Sequence, residues 1–150
     1  MVPVRYAPKN LTRRDRKNQF QQLAKSRRLY KQHKYYTRKR VPSFKSKKSR
    51  HLSRARALYG VEKIVPSKEL ATATGCSVEA LEKIVNKGEG AYFSSGSRPN
   101  QTAQSWGFAR LASAITSGNA AIVDYHIIKS GCDHSKPAFR LAKKRKSTKR

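Results

Sequence analysis

Acidic side chains are scarce in this chain: 8 Asp and Glu stand against 35 Lys and Arg in 150 residues, a net charge of +27 at pH 7. The scarcity excludes a surface whose charges neutralise one another, and it points to a polyanion or an acidic surface as partner. It also thins the stock of catalytic groups. The eight acids and four histidines form no recognisable acid/base pair, nucleophile and base set or Walker loop, so the chain reads as a non-enzyme with no cofactor and no small-molecule substrate. Cysteine is nearly absent. Cys76 and Cys132 have no close partner at metal-ligand or redox spacing; Cys76 reads as a small core residue, and Cys132-Asp133-His134 as a loop rather than a metal site. A Cys76–Cys132 disulfide stays open, but the N-terminus lacks the apolar stretch of a secretory signal, so free thiols in a reducing compartment are expected. No apolar run approaches the ~20 residues of a membrane span, which predicts a soluble protein.

The charge that is present sits at the ends. Residues 1–58 hold 20 Lys/Arg and the single acid Asp15, residues 132–150 hold 8 and Asp133, and residues 59–131 hold 7 against 6 acids. This partition predicts a basic N-terminal arm over 1–48 with an amphipathic helix, a small helical domain over 49–131 and a basic C-terminal tail over 132–150. The middle is close to the length at which one hydrophobic core is marginal alone, so ordering by partners is expected.

Periodicity fills in the elements. Asn10 or Thr12 can cap a helix whose apolar positions Phe20, Leu23, Ala24 and Tyr30 keep roughly to one face. From Lys31 to Lys48 the period vanishes, and Tyr35, Tyr36, Pro42 and Phe44 amid Lys, Arg and Ser predict an extended ribbon that orders only against a partner. Leu52, Ala55, Leu58 and Tyr59 predict a helix from Ser49 stopped by Gly60. Pro66 and Ser67 open a short helix to Ala73, Gly75 closes it, and Ser77 caps a helix carrying Val78, Leu81, Ile84 and Val85 up to Gly88. Residues 88–100, rich in Gly, Ser, Pro and Asn, read as a tight loop anchored by Tyr92 and Phe93. Trp106, Phe108, Ala109, Leu111, Ala112 and Ile115 predict a central buried helix ended by Gly118. Residues 120–129 suit one more helix capped by Asn119, or a strand given their β-branched content. The fold class is therefore mainly α: a small helical module with long extended basic arms.

Residues 70–81 have the form of a helix-turn-helix, with Gly75 at the turn and Ser77 as cap. Its second helix presents Glu79 and Glu82 where a DNA reader needs donors, so the hairpin reads as structural. In the basic segments Arg13, Arg14, Arg27, Arg28, Tyr35, Tyr36, Arg38, Arg40, Phe44, Lys47 and Lys48 are the candidate partner-binding residues. Cations with interleaved rings suit phosphates and unpaired bases. They suit carboxylate-bearing protein subunits almost equally, since Arg matches carboxylates and Tyr offers contact area with few torsions to freeze. Arg98 and Arg110 are the only arginines of the neutral middle and join the list, either as buried or interface anchors of the 88–110 stretch or, for Arg98, as a phosphate ligand beside the helix start at Thr102. Gly75, Ser77, Gly90, Tyr92, Phe93, Pro99 and Trp106 are the structural motif positions.

Residues 88–95, Gly-Glu-Gly-Ala-Tyr-Phe-Ser-Ser, superficially resemble a nicotinamide-cradling stretch of ADP-ribosyltransferases. Such enzymes also need an upstream strand histidine and usually a late glutamate; here His33 and His51 lie in basic segments and no Glu follows Glu89. The longer stretch from Asn86 to Arg110, with Tyr36-Thr37-Arg38, residues 43–51 and Gly75-Cys76-Ser77, resembles an uncharacterised domain family encoded by large DNA viruses of algae and amoebae, over roughly residues 35–125. That resemblance implies a viral origin and, by association, a structural place in the virion. The resulting expectation is a minor capsid component that bridges neighbouring subunits through its basic arms, with major and other minor capsid proteins as partners. Its location would be the capsid, after synthesis in the host cytoplasm or passage through the nucleus. The alternative is a packaging protein contacting viral nucleic acid through the arms. Peripheral contact with an internal viral membrane is compatible with both, and ribosome association fits the composition but not the viral resemblance.

Overall fold

A computed structural model describes residues 2–148, and its chain is mainly helical. After a 3-10 turn at Val4–Tyr6 come α1 (Arg13–Lys31), α2 (Arg50–Tyr59), α3 (Lys68–Thr74), α4 (Val78–Ser94), α5 (Ala103–Ala114), α6 (Asn119–Val123), α7 (Tyr125–Gly131) and α8 (Pro137–Thr148). Among the described residues there is no strand, only an isolated antiparallel bridge between Cys76 and Cys132. The chain divides into two compact units, Met1–Lys47 with Glu89–Trp106 and Lys48–Gly88 with Gly107–Arg150.

Several helix ends follow from capping chemistry. The Thr12 side chain accepts from Asp15 N, Ser49 from Leu52 N and Ser67 from Leu70 N. Gly60 and Gly75 close α2 and α3 in the left-handed region, at φ 64° and 84°. Ser77 Oγ accepts from Ala80 N at the start of α4.

The second unit holds the larger hydrophobic core. Leu70, Leu81, Ile84, Leu111, Ile115 and Ile128 are fully buried there, with small residues between them. The C-terminal basic stretch contributes too: α8 buries Ala138, Phe139 and Ala142 and packs on α6 and α7 while its lysines stay exposed. Its last two residues, Lys149 and Arg150, lie outside the described ones.

Three local expectations are corrected. Residues 120–129 form neither one helix nor a strand: α6 ends at Val123 and α7 starts at Tyr125, with Asp124 between them. The cysteines are not free. Ser77 N donates to Gly131 O and Asp133 N to Gly75 O, which sets Cys76 opposite Cys132, and the two form a disulfide. No spacing rule could reveal that pairing, since 56 residues separate the two.

The third correction concerns glycine. Gly88 does not end α4, which continues through Gly90 to Ser94 and absorbs half of the expected loop. Gly88 is a point of close helix approach: a Cβ there would lie 2.6 Å from Gly107 Cα on α5. Gly90 is under no such pressure, because a Cβ would lie 3.9 Å from the Tyr30 hydroxyl. Substitutions two residues apart should therefore have opposite signs. Gly88→Ala should destabilise by about 1–3 kcal/mol, because overpacking exceeds the gain in helix propensity. Gly90→Ala should be neutral or stabilising by up to about 1 kcal/mol. Urea unfolding followed by far-UV circular dichroism checks both, and a raised midpoint for Gly88→Ala would overturn the close-approach account.

Candidate functional site

The first unit is built on α1, whose buried positions Gln19, Leu23 and Ser26 follow helical spacing. Two of the three are polar and are hydrogen-bonded. Gln19 Nε2 donates to Tyr6 O at 3.0 Å, and Ser26 Oγ donates to Phe93 O at 3.2 Å. Of the expected apolar face, Leu23 is buried, but Phe20 and Ala24 are exposed. Trp106 meets the ring of Tyr6 edge-on at 6.0 Å, and Pro99 is fully buried.

Residues 35–43 contain no helix or strand, yet their backbone and side chains are tied down. Gln22 Oε1 accepts from the Tyr36 hydroxyl and from Lys39 N. The Asn100 amide meets the backbone of Val41 twice, accepting from its N–H at 2.7 Å and donating to its carbonyl at 3.3 Å. Asp15 Oδ2 accepts from Ser43 N at 2.8 Å, and hydrogen bonds from Ser43 hold this carboxyl below its ordinary pKa. Side chains thus supply the partners that a sheet would otherwise provide. The expected ribbon finds its contacts inside the unit.

Arg38 is the hub of this segment. Its Nη1 donates to Tyr92 O at 2.7 Å and Ser26 Oγ at 3.0 Å, and Nη2 donates to Ser97 Oγ at 2.8 Å. Its backbone N–H donates to the Tyr92 hydroxyl at 3.0 Å, and its guanidinium lies 3.8 Å from the centroid of that ring. No carboxylate joins it among the described residues; burial lowers its pKa from the ordinary arginine value, and neutral acceptors with the Tyr92 ring stabilise the charge. Arg38 is therefore committed inside the protein.

The other candidates of this unit face outward to different degrees. Arg13, Arg14, Arg28, Arg40, Lys47 and Arg98 are exposed, and Arg27, Tyr36 and Phe44 are half-buried. Phe93 lies within a ring cluster, 6.4 Å from Tyr30 and 5.2 Å from Tyr35, the latter 69% exposed. Tyr92 is fully buried, so the stretch resembling an ADP-ribosyltransferase is here the end of a helix with its tyrosine closed in. At the start of α5, Thr102 Oγ1 accepts from Ser105 N and Ser105 Oγ from Thr102 N, which satisfies donors that a phosphate would otherwise use.

In the second unit, Lys48 is exposed and Arg110 is half-buried. Arg110 Nε and Nη2 grip the two oxygens of Asp124, each at 2.7 Å, and Lys87 Nζ lies 3.9 Å away. Donating these hydrogen bonds to Asp124 raises the Arg110 pKa. Asp124 is fully buried and lies at the break between α6 and α7, with its N–H donating to Ala120 O. Arg98 and Arg110 therefore do not behave as a pair. Asp124 is the only acid between Glu89 and Asp133, a signal that could have marked it as the counter-charge of Arg110. Nothing in a run of cations distinguishes Arg38 from its neighbours.

Both arginine sites should be costly to disturb. Arg38→Met should destabilise the first unit by about 3 kcal/mol, by leaving several buried acceptors unpaired, and Arg38→Lys should recover only part of that. Trp106, the single tryptophan, reports this unit, and an unshifted fluorescence transition would contradict the assignment. Asp124→Asn should cost about 3 kcal/mol by leaving Arg110 without its counter-charge, read by circular dichroism.

No curated protein matches the chain, and no solved structure does. Residues 3–130 match a family of unknown function, which takes in all of the first unit's described residues from Pro3 and the second unit through α6 and nearly all of α7. Arg38, Tyr92, Arg110 and Asp124 all lie within the match, and the chain belongs to that family, the family of unknown function DUF5824.

Proposed function

We propose that this protein is a non-enzymatic structural protein of a large DNA virus, and that it binds viral nucleic acid through basic surfaces during packaging. One observation carries the reading: among the described residues no Lys or Arg of residues 2–58 forms an ion pair with a carboxylate, and most of them are exposed. Side chains such as Arg13, Arg14 and Arg28 project from a regular helix, so their spacing is fixed before any partner arrives. Such an array suits a polyanion of regular charge, which gains counterion entropy on binding. The helix pair joined through Gly75 serves this reading as a structural, helix-turn-helix-like hairpin, because Glu79 and Glu82 are exposed near the start of α4. Among the described residues no helix is long and apolar enough to cross a membrane, so contact with a viral membrane would be peripheral.

A second reading is a minor capsid component that cements neighbouring subunits. Its support is the near-neutral stretch 59–131, whose exposed Val123, at 61%, offers apolar contact to a protein surface. The exposed cations would then meet acidic faces of capsid proteins. Cross-linking mass spectrometry on purified particles separates the two, by the molecule found beside residues 1–58.

Binding to duplex DNA should weaken steeply with salt. With on the order of six to ten phosphate contacts, affinity should fall by about 10³ to 10⁵ between 50 and 200 mM salt. Replacing Arg13, Arg14 and Arg28 together by alanine should lower the log–log slope by about 3. Fluorescence anisotropy measures both. Weak binding that ignores salt would remove the nucleic-acid reading.

A further inference from the structure

We infer that the first unit carries a stacking platform for unpaired nucleobases, centred on Tyr35. The inference rests on the nucleic-acid reading above and adds to it a preference for single strands. Three rings meet here. Tyr30 lies parallel to Phe93, at an interplanar angle of 7°, and Tyr35 is tilted against both, 6.1 Å from Tyr30 and 5.2 Å from Phe93. Tyr30 and Phe93 are half-buried and support the third ring, while Tyr35 is 69% exposed. An exposed tyrosine that rests on two others leaves a flat π-face available to a further ring.

The backbone holds that face in place. α1 ends with His33 N donating to Tyr30 O and Lys34 N to Leu29 O, both at 2.9 Å, which is the double bond of a Schellman closure. The left-handed position in this closure is His33 at φ 60°, where glycine is the usual residue. A strained non-glycine residue two positions before the exposed ring is the kind of backbone outlier that accompanies function. On the far side of Tyr35, Tyr36 is fixed by its hydroxyl on Gln22 and by Lys25 Nζ, 4.4 Å from the centroid of its ring. Tyr35 thus sits between two anchored neighbours.

The surroundings select the partner by charge. Lys31 and Lys34 adjoin the rings in sequence and are exposed, and Arg27 lies one turn before Tyr30 on α1. Glu89, one turn before Phe93 on α4, is the one acid close by in sequence. A polyanion whose own rings are free to stack satisfies both features at once. A duplex offers the phosphates but keeps its bases stacked internally, and an acidic protein face offers the charge without the regular supply of rings.

The test uses the full chain, a labelled 20-mer oligothymidine and a duplex of equal length. Tyr35→Ala should weaken oligothymidine binding roughly fivefold to a hundredfold, leave duplex binding within about twofold and keep the salt slope unchanged. Tyr35→Trp should bind the single strand at least as tightly as the parent, and its added fluorescence should be quenched by oligothymidine, beyond any change seen for Trp106 in the parent chain. Because Tyr35 is largely exposed, neither change should disturb folding. Oligothymidine binding by Tyr35→Ala within twofold of the parent, or an equal loss on single strand and duplex, overturns the platform while leaving the broader reading standing. Binding of neither nucleic acid removes both, and an acidic protein partner would then be sought on particles by cross-linking to Tyr35→Cys.

Discussion

A chain with 35 cations and 8 acids can bury only those charges that it can satisfy, and each unit solves that constraint differently. In the first, Arg38 meets no carboxylate among the described residues and is held by two serine hydroxyls, a carbonyl and the face of Tyr92. In the second, Arg110 takes one of the few acids, Asp124, in a two-pronged grip. Desolvating a guanidinium is expensive, so the groups that surround it must be correctly placed or the buried state is lost. Arg38 therefore fixes the positions of Ser26 on α1, Tyr92 on α4 and Ser97 beyond it. Asp124 fixes where α6 gives way to α7. Most remaining charge goes to the surface, where its repulsion is screened.

That constraint explains what sequence could and could not disclose. Thr12, Ser49, Ser67 and Ser77 cap helices as their types predict, and Gly60 and Gly75 end them, because caps are local chemistry. Gly88 is read wrongly as a stop because a glycine in a helix pattern has two uses, and only the structure shows Gly107 opposite it. The cysteine pair spans 56 residues, a distance over which a pattern carries no signal, whereas the Arg110–Asp124 grip spans 14 and is marked only by the scarcity of acids around it. Of the candidate residues, Tyr92 and Trp106 are legible as motif residues by size and setting. Arg38 looked like any other arm cation, and Gln19, Ser26, Ser97 and Asn100 carried no sign that they would anchor the coil.

The ordering of residues 35–43 also bears on how the charge can work. A free arm must lose backbone freedom when it binds, at about 1–2 kcal/mol per residue, which offsets much of what its contacts contribute. Here Gln22, Arg38, Asn100 and Asp15 hold the coil before any partner is present. The cost of ordering is met during folding, by hydrogen bonds that leave the charged ends of the exposed cations unused.

A surface ordered in advance trades reach for definition. It cannot thread between distant neighbours as an open strap would, but it presents cations and rings at set positions. A partner matched to that spacing therefore gains contacts that a mismatched one does not. Exposed side chains on α1 recur at helical intervals, and Tyr35 follows that helix after the left-handed turn at His33, against the rings of Tyr30 and Phe93. The same cations on a flexible tether would be nearly blind to the geometry of what they touch. Fixed on a helix, with a supported ring beyond its end, they suit a chain that carries charge and rings together, which is the physical argument behind the proposed preference for an unpaired nucleic acid over a merely acidic surface.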